Sequence, residues 1–180
     1  MKNNDLLIIV DAQNDFINGV LGSPEAEIAV ENICELVKNW RGDIAFTYDT
    51  HDSNYLNTLE GNYLPVPHCI KNTQGWQLNK KIADTLQQKR LLEDIFVFKV
   101  EKDTFGSLNL PDRLKPRLYD TITIVGFCTD ICVISNALIL KATRPNTLMK
   151  VIADCCAGTA PQAHQAALTV MKSCQIEVIK

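Results

Sequence analysis

Apolar and polar positions along the chain switch between two repeating patterns. Leu6-Leu7-Ile8-Ile9-Val10 is an unbroken apolar run that stops at Asp11, the pattern of a strand buried on both faces. Ser23-Pro24 then supplies an N-cap followed by proline at the first helical position. Ile28, Ile33, Leu36, Val37 and Trp40 carry that helix onward to a stop signal at Gly42. Ile44–Tyr48 reads as a second strand ending at Asp49. Residues 50–75 follow neither period and hold Gly61, Pro65, Pro67 and Gly75, which predicts a long loop. Loops of that length inside a compact domain usually serve function. Leu78, Ile82 and Leu86 then predict an amphipathic helix over Gln77–Lys89.

The second half continues the alternation. Ile95–Val100 reads as a third strand, followed by a polar turn region from Glu101 to Ser107. Leu108–Leu118 predicts a short helix interrupted at Pro111 and Pro116. Thr121–Val125 is a fourth strand and runs into Gly126-Phe127-Cys128-Thr129-Asp130. Ile131–Lys141 is almost wholly apolar and predicts a buried helix. Lys150–Ala153, Pro161–Lys172 and Ile176–Ile179 complete the series as strand, helix and strand. Strands alternating with helices imply crossover units and parallel pairing. The expected fold is therefore α/β: a three-layer α/β/α domain over residues 1–180, with a mostly parallel six-stranded sheet.

Composition narrows the function classes. With 46% apolar and 22% charged residues the chain is neither disordered nor fibrous, and 180 residues suffice for one buried core. A net charge of -3 argues against a broad basic face, so no nucleic-acid partner is expected. No apolar run approaches the about 18 residues of a membrane span, so no membrane partner is expected. The first residues lack the pattern of a signal peptide. The seven cysteines are odd in number and form no C-x-x-C pair. They read mostly as small buried hydrophobes in a reducing compartment, which makes a cytoplasmic protein the expectation. The oligomeric state stays open between a monomer and a homo-oligomer.

In parallel sheets ligands bind outside the carboxyl ends of the strands. Polar residues collect at those positions here: Asp11, then Asp49 and His51, then Lys99, then Cys128 to Cys132. Cys132 falls in the first turn of a helix capped by Thr129 or Asp130, where the helix dipole and free N–H groups lower a thiol's pKa. The plainer reading is a core cysteine on a buried helix. Asp11 is placed to take a thiol proton, while Asp15 has left the strand and reads as a turn former. Lys99 follows Phe96-Val97-Phe98 on a strand and is expected to be partly buried, with Asp11 as its partner. A lysine snorkelling at the sheet end is the alternative. Lys102 falls in the turn region and reads as solvated. Asp49, His51 and His68 are donors of types that suit zinc, manganese or iron. His164 reads as structural.

Val-Asp-Ala-Gln-Asn-Asp-Phe around Asp11, Lys99 ahead of Phe105, and Gly-Phe-Cys-Thr-Asp-Ile-Cys-Val at 126–133 together resemble the isochorismatase-like cysteine hydrolases. Asp49-Thr50-His51 and His68 bring the resemblance to the nicotinamidase/pyrazinamidase branch, over residues 5 to 179. The resemblance implies a catalytic triad of Asp11, Lys99 and Cys132 acting on a small amide through a thioester. It also implies a cis peptide at Phe127–Cys128 and an oxyanion hole from the N–H groups of Cys128 and Cys132. A pocket edged by Phe16, Trp76 and Phe127 is implied as well. Similar nicotinamidases carry a further metal ligand between His51 and His68, and Glu60 is the best candidate for that place. One divalent ion, zinc foremost, is the implied cofactor, with a nicotinamide-like amide as substrate. The competing readings are a related hydrolase of another small amide or carbamoyl compound, and a catalytically silent binding protein of the same fold. A true isochorismatase fits poorly, because cleaving a vinyl ether needs no thiol and would leave Cys132 idle.

Overall fold

The computed structural model describes residues 4–180. In chain order it contains β1 (Asp5–Val10), α1 (Asn14–Ile17), α2 (Pro24–Asn39), β2 (Asp43–Asp49), α3 (Leu59–Tyr63) and α4 (Lys80–Leu92). These are followed by β3 (Val97–Lys102), α5 (Asn109–Leu114), β4 (Thr121–Phe127), α6 (Ile134–Thr143), β5 (Leu148–Ala157), α7 (Pro161–Ser173) and β6 (Glu177–Ile179). The six strands form one sheet in the order β3-β2-β1-β4-β5-β6, and every pairing is parallel. The expected α/β sheet is therefore present, and it is parallel throughout.

β1 lies at the centre, and Leu6 through Val10 are wholly buried, as an apolar run facing helices on both sides requires. The chain moves outward from β1 to β2 and β3, then returns to the other side of β1 as β4. The carboxyl ends of β1 and β4 thus flank the point where the strand order reverses, the usual place for a ligand crevice in such sheets. Gly126 in β4 has a φ of 121°, and a Cβ there would collide with the Val10 carbonyl. Glycine is therefore needed where these two strands close up. Ser23 caps α2 by accepting from the Ala26 amide, with Pro24 in the first turn, as the sequence predicts.

Several boundaries differ from the sequence reading. β3 spans Val97–Lys102 rather than Ile95–Val100, so Glu101 and Lys102, expected in the turn region, belong to the strand. α4 starts at Lys80, because Asn79 caps it by accepting from the Lys81 amide. Residues 50–75 hold α3, a helix of five residues that is too short to show a period. The short helix α1 also escapes notice for that reason. α5 stops at Leu114, well before Leu118. β5 runs on through Cys155-Cys156 to Ala157. The helix expected from Ile131 begins instead with a wide π-type turn over Thr129–Val133, and α6 follows it. Among the described residues, no helix is long and apolar enough to cross a membrane.

Candidate functional site

Asp11 follows β1 with a φ of 47°, a left-handed conformation uncommon outside glycine and best tolerated by Asn and Asp. Its amide donates to the Thr47 carbonyl, and its Oδ1 accepts from the Thr47 hydroxyl at 2.6 Å. The carboxylate is fully buried, and Oδ2 is left facing a cation. That cation is Lys102, whose Nζ lies 2.6 Å from Asp11 Oδ2, 3.1 Å from Asp49 Oδ1 and 3.6 Å from Cys132 Sγ. Its side chain is 2% exposed. Burial would push Lys102 down, but the charges of Asp11, Cys132 and Asp49 reverse this and hold it above its ordinary range. Burial pushes Asp11 up against the pull of Lys102, and burial with the neighbouring Asp11 pushes the Cys132 thiol well above the usual value. The Cys132 thiol thus lies beside a buried carboxyl group that is itself paired with Lys102.

The lysine expected in this place was Lys99, and the structure corrects it. Lys99 points out of the sheet, pairs with Glu101 at 3.0 Å and lies over the rings of Tyr48 and Trp76. Side chains alternate across a strand, so Lys102 shares the inward face with Val100, whereas Lys99 shares the outward face with Glu101. Ending the strand two residues early hid that phase.

The second cluster sits on β2 and the following loop. Asp49, His51, Glu60 and His68 each present one donor atom, and all four atoms lie within 4.8 Å of one another. His51 Nε2 and His68 Nε2 are 3.0 and 3.3 Å from Asp49 Oδ2, and 3.6 and 3.8 Å from Glu60 Oε1. His68 Nδ1 is 2.9 Å from the Val66 carbonyl. A carbonyl only accepts, so Nδ1 carries a proton and Nε2 is the ring nitrogen turned toward the cluster. Two imidazole nitrogens and two carboxylate oxygens converging in this way fit a divalent cation. Burial would raise Asp49, but the hydrogen bonds of both histidines and the Lys102 charge hold it well below the usual carboxylate range.

Buried polar side chains hold the two clusters in place. Gln13 accepts from the Asp49 amide and donates to the Asp49 and Trp76 carbonyls, tying the end of β1 to that of β2. Asp15 accepts from the Cys69 amide at 2.8 Å and thereby fixes the loop behind His68. Tyr55 packs its ring against both His51 and His68 and donates to the Leu64 carbonyl. Nothing local in the sequence marks Gln13 or Tyr55 for these roles. His164 bonds Thr129 at 2.8 Å, consistent with a structural role.

A cavity of about 980 Å³ opens beside both clusters. Phe16, Phe127, Cys128 and Cys132 form part of its wall, together with Asp49, His51, Glu60 and His68. Trp76, expected there, is not in the wall. It packs on Tyr48 and donates to the Thr50 hydroxyl at 2.9 Å, on the outer side of β2. Leu21, Leu59, Tyr63 and Leu64 supply apolar wall that no motif marked, and Phe105 adds to it. The Phe127–Cys128 peptide is cis. The Ile131 and Val133 amides both donate to the Cys128 carbonyl, at 3.1 and 3.0 Å, which wraps the backbone around Cys132. Burial pushes the Cys128 thiol up to about 12.

Residues 5–180 match the isochorismatase domain family. The chain belongs to that family. Within it, a nicotinamidase of Acinetobacter baylyi is 29% identical over 182 residues, covering 86% of this chain and 81% of the relative. The crystal structure of a nicotinamidase/pyrazinamidase from Bacillus subtilis superposes with a TM-score of 0.82, at 26% identity and over the whole of both chains. A pyrazinamidase of Pyrococcus horikoshii, solved in complex with zinc, shares the fold with a TM-score of 0.76 at 22% identity, covering 98% of this chain and 99% of the other.

Proposed function

We propose that this protein is a cysteine-dependent amidase that hydrolyses nicotinamide or a close analogue to the acid and ammonia. The observation that carries the reading is the meeting of Asp11, Lys102 and Cys132 at one wall of a cavity whose adjoining wall presents four metal-type donors. Its nicotinamidase and pyrazinamidase relatives support an amide as the substrate. Asp11 takes the Cys132 proton, and the thiolate attacks the amide carbonyl carbon. Lys102 holds Asp11 in place and steadies the thiolate. The N–H groups of Cys128 and Cys132 receive the developing oxyanion. The C–N bond breaks as Asp11 returns its proton to the leaving nitrogen, and ammonia departs. Asp11 then takes a proton from water, whose oxygen attacks the thioester; the C–S bond breaks, the acid is released, and Asp11 returns the proton to the Cys132 sulfur.

Asp49, His51, Glu60 and His68 would hold a divalent ion, with zinc suiting the donor set best and manganese or iron compatible with it. When bound, the ion supplies a Lewis-acid anchor for a pyridine nitrogen. Cys132 already supplies the attacking group, so these four residues serve substrate binding. Phe16 and Phe127 then flank the ring. The test is ammonia release across a panel of small amides, with nicotinamide and benzamide compared before and after chelation. Nicotinamide turnover that falls more than benzamide turnover on chelation supports the reading. Equal losses would overturn the anchoring role, and no turnover of any amide would overturn the amidase.

A further inference from the structure

The cavity wall on the β3 side is a loop, residues 103–107, that leaves β3 directly after Lys102. Asp103, Thr104 and Phe105 of this loop face the cavity. Across from it, α6 carries Asn136, which is wholly buried and uses its amide on two elements at once. Its Nδ2 donates to the Cys132 carbonyl at 2.8 Å and to the Phe105 carbonyl at 3.3 Å. Its Oδ1 accepts from the Ser107 amide at 3.0 Å. One residue away from Phe105, Gly106 lies against α6, where a Cβ would meet the δ-methyl of Ile139 and come close to Ser135. A buried amide with donors and acceptor all in use costs little, whereas leaving its partners unpaired costs much. An apolar residue would fill the same space more simply if packing were the only need.

We propose that Asn136 is a positioning residue that locks the nucleophile segment to the loop following Lys102. The proposal rests on the amidase reading for its kinetic arm. The Cys132 carbonyl and the loop carbonyl are bound by the same NH₂ group, so the loop cannot shift without disturbing Cys132. The distance between Lys102 and Cys132 is thereby set from behind as well as from within the site. Small misplacements of reacting groups cost rate more than binding.

Three variants separate this from a merely structural role. Asn136→Leu removes all three bonds. Asn136→Thr keeps one, because a threonine hydroxyl donates to the carbonyl four residues earlier, here that of Cys132, while the loop bonds are lost. Asn136→Asp keeps the acceptor for Ser107 and loses both donated bonds. In each folded variant kcat should fall by about 10- to 100-fold with KM nearly unchanged. The rate at which iodoacetamide alkylates Cys132 should fall in parallel. Bound zinc, measured after reconstitution, should equal wild type. Should Asn136→Leu fail to fold, Asn136→Thr carries the same comparison. Alkylation needs no amide substrate, so it still decides the proposal if the wild-type protein turns over no amide. Wild-type kcat and alkylation rate in Asn136→Thr would overturn it, as would a rise in KM matching the fall in kcat.

Discussion

Replacing Lys102 should be among the most damaging single changes in this protein, and replacing Lys99 among the mildest. Lys102 Nζ stands between two buried carboxylates, 2.6 Å from Asp11 and 3.1 Å from Asp49, with its side chain 2% exposed. Lys102→Ala would leave both carboxylates without their shared cation. Breaking a buried pair in this way costs about 3–5 kcal/mol. The same change removes the ammonium group that lies 3.6 Å from Cys132 Sγ. Turnover should therefore drop by at least about 10²-fold, a loss of roughly 2.7 kcal/mol in transition-state stabilisation. Lys99 is half exposed, paired with Glu101 and stacked over two rings. Solvent screens that pair, so Lys99→Ala should cost at most about 1 kcal/mol of stability and leave turnover intact. The assay is ammonia release beside urea unfolding for both variants. A Lys99→Ala protein that loses turnover while Lys102→Ala keeps it would refute the inward phase of β3.

Other expectations follow from the same geometry. Glu60→Ala should weaken metal affinity more than about tenfold with little change in melting temperature, because Glu60 lies on a short outer helix; equilibrium dialysis with elemental analysis measures both ion content and affinity, and unchanged binding would remove Glu60 from the donor set. The fold should also lose stability in alkali. Burial raises Cys128 from 9.0 to about 12 and Cys155 from 9.0 to about 11. A folded-state pKa above the unfolded one means the folded chain keeps its proton longer, so this stabilisation is full below pH 9 and is lost as pH rises toward those values. The decline should approach roughly 1.4 kcal/mol per pH unit for each such thiol. Urea midpoints compared at pH 8 and pH 10 measure it, and a flat profile would mean these thiols are not buried.

Much of the fold was legible because its signals are long and continuous. The run Leu6–Val10 identifies a central strand, and five apolar-to-helical alternations after it leave few alternatives to a parallel sheet. Asp11, Asp49, His51 and Cys132 were legible for the related reason that strand ends converge on one edge. What escaped depends on phase or on tertiary contact. Lys102 was missed by closing β3 two residues early, although Val100 and Lys102 fall on one face of an alternating strand. Trp76 looked like pocket wall from resemblance alone, yet its indole nitrogen is committed to Thr50. Glu60 sits on a five-residue helix with no period to read, so only the resemblance drew attention to it. Gln13 and Asn136 carry no local signal that marks these roles, because the bonds of Gln13 to Asp49 and of Asn136 to the loop after β3 join residues far apart in sequence.

Amide hydrolysis at this site depends on Cys132 Sγ as the attacking atom. Ammonia release from nicotinamide by Cys132→Ala, set beside Cys128→Ala and wild type at equal folded concentration, tests this most directly. Cys132→Ala should show no turnover above the uncatalysed background while keeping the wild-type circular dichroism spectrum. Cys128→Ala should retain much of the activity, since that residue is assigned only its backbone N–H. Wild-type turnover in Cys132→Ala would contradict the covalent mechanism outright.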